Sequence, residues 1–240
     1  SADFRRIDAL PRRPLAGINE QLIESLYLKD TPIPGACKCV KKCGYCISRL
    51  NEVQMSAISE AAKEGGLLAP VGEGHGKTRI DILLPVAMGA NPALLLVPSK
   101  LKKQFLRNWE QWSAHFVTPN IAGHSNWKPG RPTLHVMSYE ELSTPKNTGI
   151  LKTISPTLVI ADEAHCLKAM SSARTKRLKR AMSDLSPTPK FVALSGTLTT
   201  KSLFDFWLLS DWASKERSPA PRNWQTTAEW AAAIDPSTFQ

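Results

Sequence analysis

The stretch Val71-Gly72-Glu73-Gly74-His75-Gly76-Lys77-Thr78 sets glycines ahead of a lysine and a hydroxyl residue. Glycines let backbone N–H groups approach phosphate oxygens, and a helix starting at the lysine adds the positive end of its dipole. Gly74, His75 and Gly76 would then cradle the phosphates of a nucleoside triphosphate, with ATP as the first candidate. Lys77 would reach the β- and γ-phosphates, and Thr78 would give its hydroxyl to magnesium. The strict eight-residue phosphate-loop pattern has glycine first, where this chain has Val71. Farther on, Leu158-Val159-Ile160-Ala161 runs into Asp162-Glu163-Ala164-His165. An apolar strand ending in carboxylates delivers them to the carboxyl edge of a sheet, where open α/β folds bind ligands. Asp162 suits magnesium held through water, and Glu163 suits a base that orients and deprotonates an attacking water. Two carboxylates beside phosphates require the metal between them.

A second group is Cys37-Lys38-Cys39 with Cys43-Gly44-Tyr45-Cys46. Paired thiols this close suit a tetrahedral structural zinc held by Cys37, Cys39, Cys43 and Cys46, with an iron–sulfur cluster as the chemical alternative. Lys38, Lys41 and Lys42 would offset the thiolate charge. Such a metal would pin the N-terminal arm beside the helix that carries Gln54. Cys166 stands apart and reads as a small buried residue.

Elements of a definite kind are needed to hold these groups. The chain has 240 residues, 42% of them hydrophobic, which provides for a packed core. Asn51 is a candidate N-cap for a helix through Glu64, with Val53, Ala57, Ile58 and Ala61 at helical spacing and Gly65-Gly66 ending it. Leu67–Ala69, Ala93–Val97, Thr133–Met137, Thr157–Ala161 and Phe191–Leu194 read as buried strands. Helices are expected from Lys77, over Lys100–His115, over Ser171–Met182 and over Lys201–Trp212, with a short one around Asn19–Leu28. This alternation predicts an α/β fold with a mostly parallel sheet flanked by helices on both faces. Trp109, Trp112 and Trp207 fall at core spacing and read as packing. The tail after Ser214, with Pro219, Pro221 and Pro236, gives no clear pattern.

With these motifs in this order, the chain from about Asn51 to Ala213 resembles the first RecA-like domain of superfamily 2 helicases and translocases. It is most similar to the Swi/Snf-type branch with its viral and bacterial relatives. Gln54 stands where that family places a glutamine that reads adenine. Leu94-Leu95-Leu96-Val97-Pro98-Ser99 resembles motif Ia, Met137-Ser138-Tyr139-Glu140 the Ib region, and Val192-Ala193-Leu194-Ser195-Gly196-Thr197 motif III. Leu198 departs from the proline usual in the remodellers. The resemblance implies a RecA-like P-loop NTPase domain, an ATPase, and coupling of nucleotide state to nucleic-acid contact through His165, Ser195, Gly196 and Thr197. It also implies a second RecA-like domain, in the same longer chain or in trans, that completes the ATP site with arginines. With only a short tail after motif III, this chain is expected to bind nucleotide and hydrolyse it slowly. The domain plan is a basic arm over 1–36, a Cys-rich segment over 37–50, the RecA-like domain over 51–215, and an extension or linker over 216–240.

Lys and Arg number 31 against 21 acidic residues, a net charge of +10, which favours a polyanionic partner. Nucleic acid is the first candidate, DNA ahead of RNA. Ser99 and Lys100 at a helix start, Ser138 and Tyr139, and Arg174 and Arg177 in the basic run Arg174–Arg180 are the candidate contacts, made to backbone phosphates and not to sequence. A solvated helix face is the alternative for that run. No apolar stretch is long enough to span a membrane and no secretory signal is present, so an intracellular protein is expected. A non-catalytic module that binds nucleic acid or protein under nucleotide control is the rival from another class. A plain phosphotransferase fits the Gln54, motif Ia and motif III matches less well.

Overall fold

The computed structural model describes residues 17–28, 50–147, 149–196, 206–218 and 224–234. Among these residues six strands form one all-parallel sheet: β1 (Gly66–Ala69), β2 (Ala93–Val97), β3 (Asn120–Ile121), β4 (Thr133–Ser138), β5 (Leu158–Asp162) and β6 (Lys190–Leu194). Their spatial order is β1-β6-β5-β2-β4-β3. From β2 the chain moves outward to β3 and β4, then returns to β5 on the other side of β2. The crevice at such a reversal is where doubly wound sheets bind ligands. Strand β6 lies between β1 and β5, so its end separates the phosphate loop from the acidic motif.

The helices are α1 (Glu20–Ser25), α2 (Glu52–Glu64), α3 (Lys77–Ala87), α4 (Ser99–Trp112), α5 (Tyr139–Ser143), α6 (Ile150–Ile154), α7 (Ala173–Asp184), α8 (Trp207–Ser214) and α9 (Trp224–Ile234). Strand alternation sorts the side chains between two cores. Ala93, Leu95, Val97, Leu158, Ile160, Val192 and Leu194 pack with residues of α1 to α4 on one face. Leu94, Leu96, Val159, Ala161, Phe191 and Ala193 pack with residues of α5, α7 and α8 on the other. Strands buried on both faces read as unbroken apolar runs, which is why β2 and β5 stand out in the sequence.

Local signals set the helix ends. Asn51 and Gln54 form a reciprocal capping box at the start of α2, and Gly65 closes it in the left-handed region at φ 74°. Gly66 belongs to β1 and not to the turn, with its α-carbon against the backbone carbonyl of Ala213. Helix α7 begins two residues later than its apolar spacing suggests, because Ser172 is its N-cap and accepts from the Thr175 N–H. Trp109, Trp112 and Trp207 are buried, as core spacing predicts. Strand β3 and helices α5, α6 and α9 are additions to the sequence reading. Residues 37–49 of the Cys-rich segment and most of the basic arm lie outside the described residues, as do residues 201–205 of the expected Lys201 helix. No helix among the described residues is long and apolar enough to cross a membrane.

Candidate nucleotide-binding and catalytic site

The phosphate loop leaves β1 and turns into α3. Gly74 and Gly76 hold φ of 79° and 76°, a region open to glycine at little cost. Gly76 caps α3, and a Cβ there would collide with the Gln54 amide. Gln54 is 2% exposed and uses both ends of its side chain. Its Oε1 accepts from the Asn51 N–H at 3.0 Å, while its Nε2 donates to the carbonyls of His75 (3.1 Å) and Gly76 (3.4 Å). The start of α2 is thereby tied to the phosphate loop. His75 Nδ1 lies 3.1 Å from the Glu73 carbonyl.

Lys77 joins the two motifs. Its Nζ stands 3.0 Å from Glu163 Oε1 and donates to the Val71 carbonyl at 3.3 Å. Glu163 sits at φ 54°, ψ 52°, a left-handed conformation that is unfavourable for a residue with a side chain. That turn points its carboxylate at Lys77. The Glu163 N–H donates to Asp162 Oδ1 at 3.0 Å. Asp162 is 6% exposed. Burial first, and the Glu163 carboxylate second, raise its pKa to about 6, against the opposing pull of Lys77. Behind it on α3 lies Asp81, fully buried, with its pKa driven upward by burial and by Asp162.

Behind β5, Tyr139 is 1% exposed and donates its O–H to the Asp162 carbonyl at 2.8 Å. Burial and the surrounding anionic groups hold that phenol well above its ordinary pKa, so it stays a donor. On the β6 side, His165 Nδ1 lies 3.2 Å from both Ser195 Oγ and Glu163 Oε2, and Ser195 Oγ donates to Glu163 Oε2 at 3.5 Å. The Ser195 N–H donates to the Ala69 carbonyl at the end of β1. A Cβ on Gly196 would stand 3.4 Å from the Val71 carbonyl and the Glu73 nitrogen. The end of β6 therefore touches both motifs. Thr197 lies outside the described residues, as do Cys37, Cys39, Cys43 and Cys46.

A cleft of about 500 Å³ opens over Gly74, Gly76, Lys77, Thr78, Asp162 and Glu163, with Val97, Leu101, Gln104 and Phe105 as its far wall. The size is within the range of small-ligand sites. Sequence reading missed that far wall, which comes from β2 and α4. The motif Ia match was the available signal. The donor set suits magnesium. A buried carboxylate with a raised pKa, lining the same cleft as the Thr78 hydroxyl, lacks positive charge, and magnesium takes one or two carboxylates while keeping several waters. Among the described residues no group of three or more His, Cys, Asp or Glu forms a ready-made metal cage.

The candidate nucleic-acid residues divide. Ser99 and Lys100 are exposed at the start of α4, although the Ser99 N–H already donates to Glu140 Oε2 at 3.2 Å. Ser138 and Tyr139 are buried, which corrects their expected part as surface contacts: Ser138 caps α5 and Tyr139 supports Asp162. Arg174 and Arg177 are half-buried and held by carbonyls. Arg174 Nε donates to Cys166 O at 2.7 Å and its guanidinium lies 6.0 Å from the Tyr139 ring centre, while Arg177 donates to Leu142 O at 2.5 Å. The outward charges of α7 are Lys176, Lys179 and Arg180. Cys166 is half-buried, and burial raises its thiol pKa.

A family model described as DEAD/DEAH box helicase matches residues 51–206. Among solved structures, the chain is similar to the UvsW helicase from Bacteriophage T4, at 15% identity and a TM-score of 0.46. That match covers 63% of this chain and 54% of that one, so this chain spans about half of the relative's length. No curated protein matches.

Proposed function

Since the chain belongs to the DEAD/DEAH box helicase family, we propose that it is the ATP-binding first motor domain of a nucleic-acid helicase or translocase. One observation carries this reading: the Lys77–Glu163 ion pair at 3.0 Å, which closes the phosphate loop on the acidic motif at the carboxyl edge of the sheet. In the free domain the two charges satisfy each other. An entering γ-phosphate competes for Lys77, and its departure frees Glu163. Glu163 then accepts a proton from water as the water oxygen forms a bond to the γ-phosphorus. The bond from that phosphorus to the β,γ-bridging oxygen breaks, and ADP leaves with the electron pair. Thr78 and Asp162 would hold magnesium, which would supply positive charge to the β- and γ-phosphates.

Ser195 and His165, both within 3.5 Å of Glu163, are placed to respond when that carboxylate changes partner. This supports their part in coupling nucleotide state to nucleic acid. The nucleic acid, DNA ahead of RNA, would follow the sheet's carboxyl edge past Ser99 and Lys100 and meet Lys176, Lys179 and Arg180. The cleft lining holds one lysine and no arginine among the described residues. Arginines from a second RecA-like domain would complete it.

Glu163→Gln tests the assignment in the presence of that second domain. General-base loss should lower ATP turnover about 10²- to 10⁴-fold, with ATP binding kept. Nucleic-acid movement that persists without turnover would instead make the protein a nucleotide-gated binding module.

A further inference from the structure

Asp81 takes no part in the steps above. It lies four residues after Lys77 on α3, so the two side chains rise on the same side of the helix. It is 0% exposed, among the buried Ile80, Ile82, Leu83 and Leu84. Neither carboxyl oxygen has a hydrogen-bond partner among the described residues. Strand alternation identifies what it faces. Leu158 and Ile160 belong to the core against which α3 packs, and Asp162 is the next residue of β5 on that face. The charged groups that act on Asp81 are Asp162, Lys77 and Glu163.

An unpartnered buried carboxyl destabilises the fold, and an apolar side chain would serve helix packing better. Its position explains what it is for. Residues that back a metal's ligands orient those ligands and tune the charge at the metal. Asp81 is three residues from Thr78 on one helix and directly behind Asp162. We propose that Asp81 is a positioning residue of the divalent-cation site, a buried carboxyl that backs Asp162 and Thr78 and sets the fit of magnesium against the phosphates. The inference rests on the ATP-site reading above. It adds a group that neither motif contains.

The test uses the whole chain with Asp81→Asn, which keeps shape and removes the ionisable carboxyl, and Asp81→Ala. Three quantities are measured: affinity for a fluorescent ADP analogue without metal, Mn²⁺ affinity at saturating ADP by electron paramagnetic resonance of the free ion, and Tm without ligand. The expected result is unchanged metal-free nucleotide affinity, Mn²⁺ affinity lowered about 10- to 100-fold, and a Tm equal to or above that of the wild type. Unchanged Mn²⁺ affinity in both variants would overturn the proposal while leaving the ATP site intact. So would a large fall in Tm in both, because the carboxyl would then be holding the fold. Absence of metal-dependent nucleotide binding in the wild type would strike the ATP-site reading itself, and this proposal with it.

Discussion

The contribution of Asp162 to the stability of the ligand-free protein should fall between mild acid and neutral pH, and the size of the effect follows from its surroundings. Burial and the Glu163 carboxylate raise its pKa from 3.8 to about 6. Between those values the folded state holds a proton that the unfolded chain has lost. Stability therefore falls as pH rises through that window, and the full penalty is present above pH 6. The difference in pKa corresponds to about 3 kcal/mol. For a chain of this size that is roughly 6–12 °C in Tm. Asp162→Asn removes the titrating group and keeps its shape. The assay is thermal unfolding of wild type and variant from pH 4 to pH 8, without metal or nucleotide. The variant's advantage should be small at pH 4, grow to about pH 6.5, and then level off. Magnesium with ADP should remove the wild type's deficit at pH 7.5. Two unfolding curves that stay parallel across the range would refute the reasoning, since the carboxyl would then be as well solvated folded as unfolded.

Three other outcomes are expected. Tyr139→Phe leaves the Asp162 carbonyl without its donor and should cost about 1–3 kcal/mol, read as a lower Tm together with weaker magnesium-dependent nucleotide binding. Gly76→Ala puts a side chain into the Gln54 amide at a left-handed residue and should abolish nucleotide binding while the far-ultraviolet circular dichroism of the sheet and helices is kept. Protein purified without chelator should carry close to one zinc per chain, lost in a Cys37→Ser, Cys39→Ser double variant. Metal analysis that finds neither zinc nor iron would end the metal reading of that cluster.

The parts of this protein that could be read in the sequence are those where one residue type permits one geometry. Strands β2 and β5 are buried on both faces, so they appear as apolar runs that nothing interrupts. Asn51 and Gly65 mark both ends of α2, and Gly74-His75-Gly76-Lys77-Thr78 needs the strand and helix on either side of it. The legibility stops where a side chain's part depends on what lies across the sheet. Tyr139 looks like a surface residue of motif Ib, yet it is buried in the core on one face of the sheet and its hydroxyl supports Asp162. Arg174 and Arg177 belong to a basic run, and helical phase turns them toward Cys166 and Leu142 while Lys176 and Lys179 face outward. Gln54 holds the phosphate loop in the ligand-free protein because the capping box already fixes its position. Asp81 has no sequence signature at all, since a lone aspartate in an apolar helix acquires meaning only from Asp162 across the core. Strand β3 has two residues, too few for any period to show.

Equilibrium binding of a fluorescent ATP analogue, with magnesium and with EDTA, to the wild type and to Lys77→Ala tests the central claim most directly. That claim is that the phosphate loop and the acidic motif make one magnesium-dependent triphosphate site. The wild type should bind, and EDTA should weaken it. Lys77→Ala removes the cation that pairs with Glu163 at 3.0 Å, so phosphates would meet two uncompensated carboxylates. Its affinity should fall about 100-fold, in keeping with about 3 kcal/mol for a charge-assisted contact. Equal binding by the two proteins, or binding indifferent to magnesium, would contradict the account.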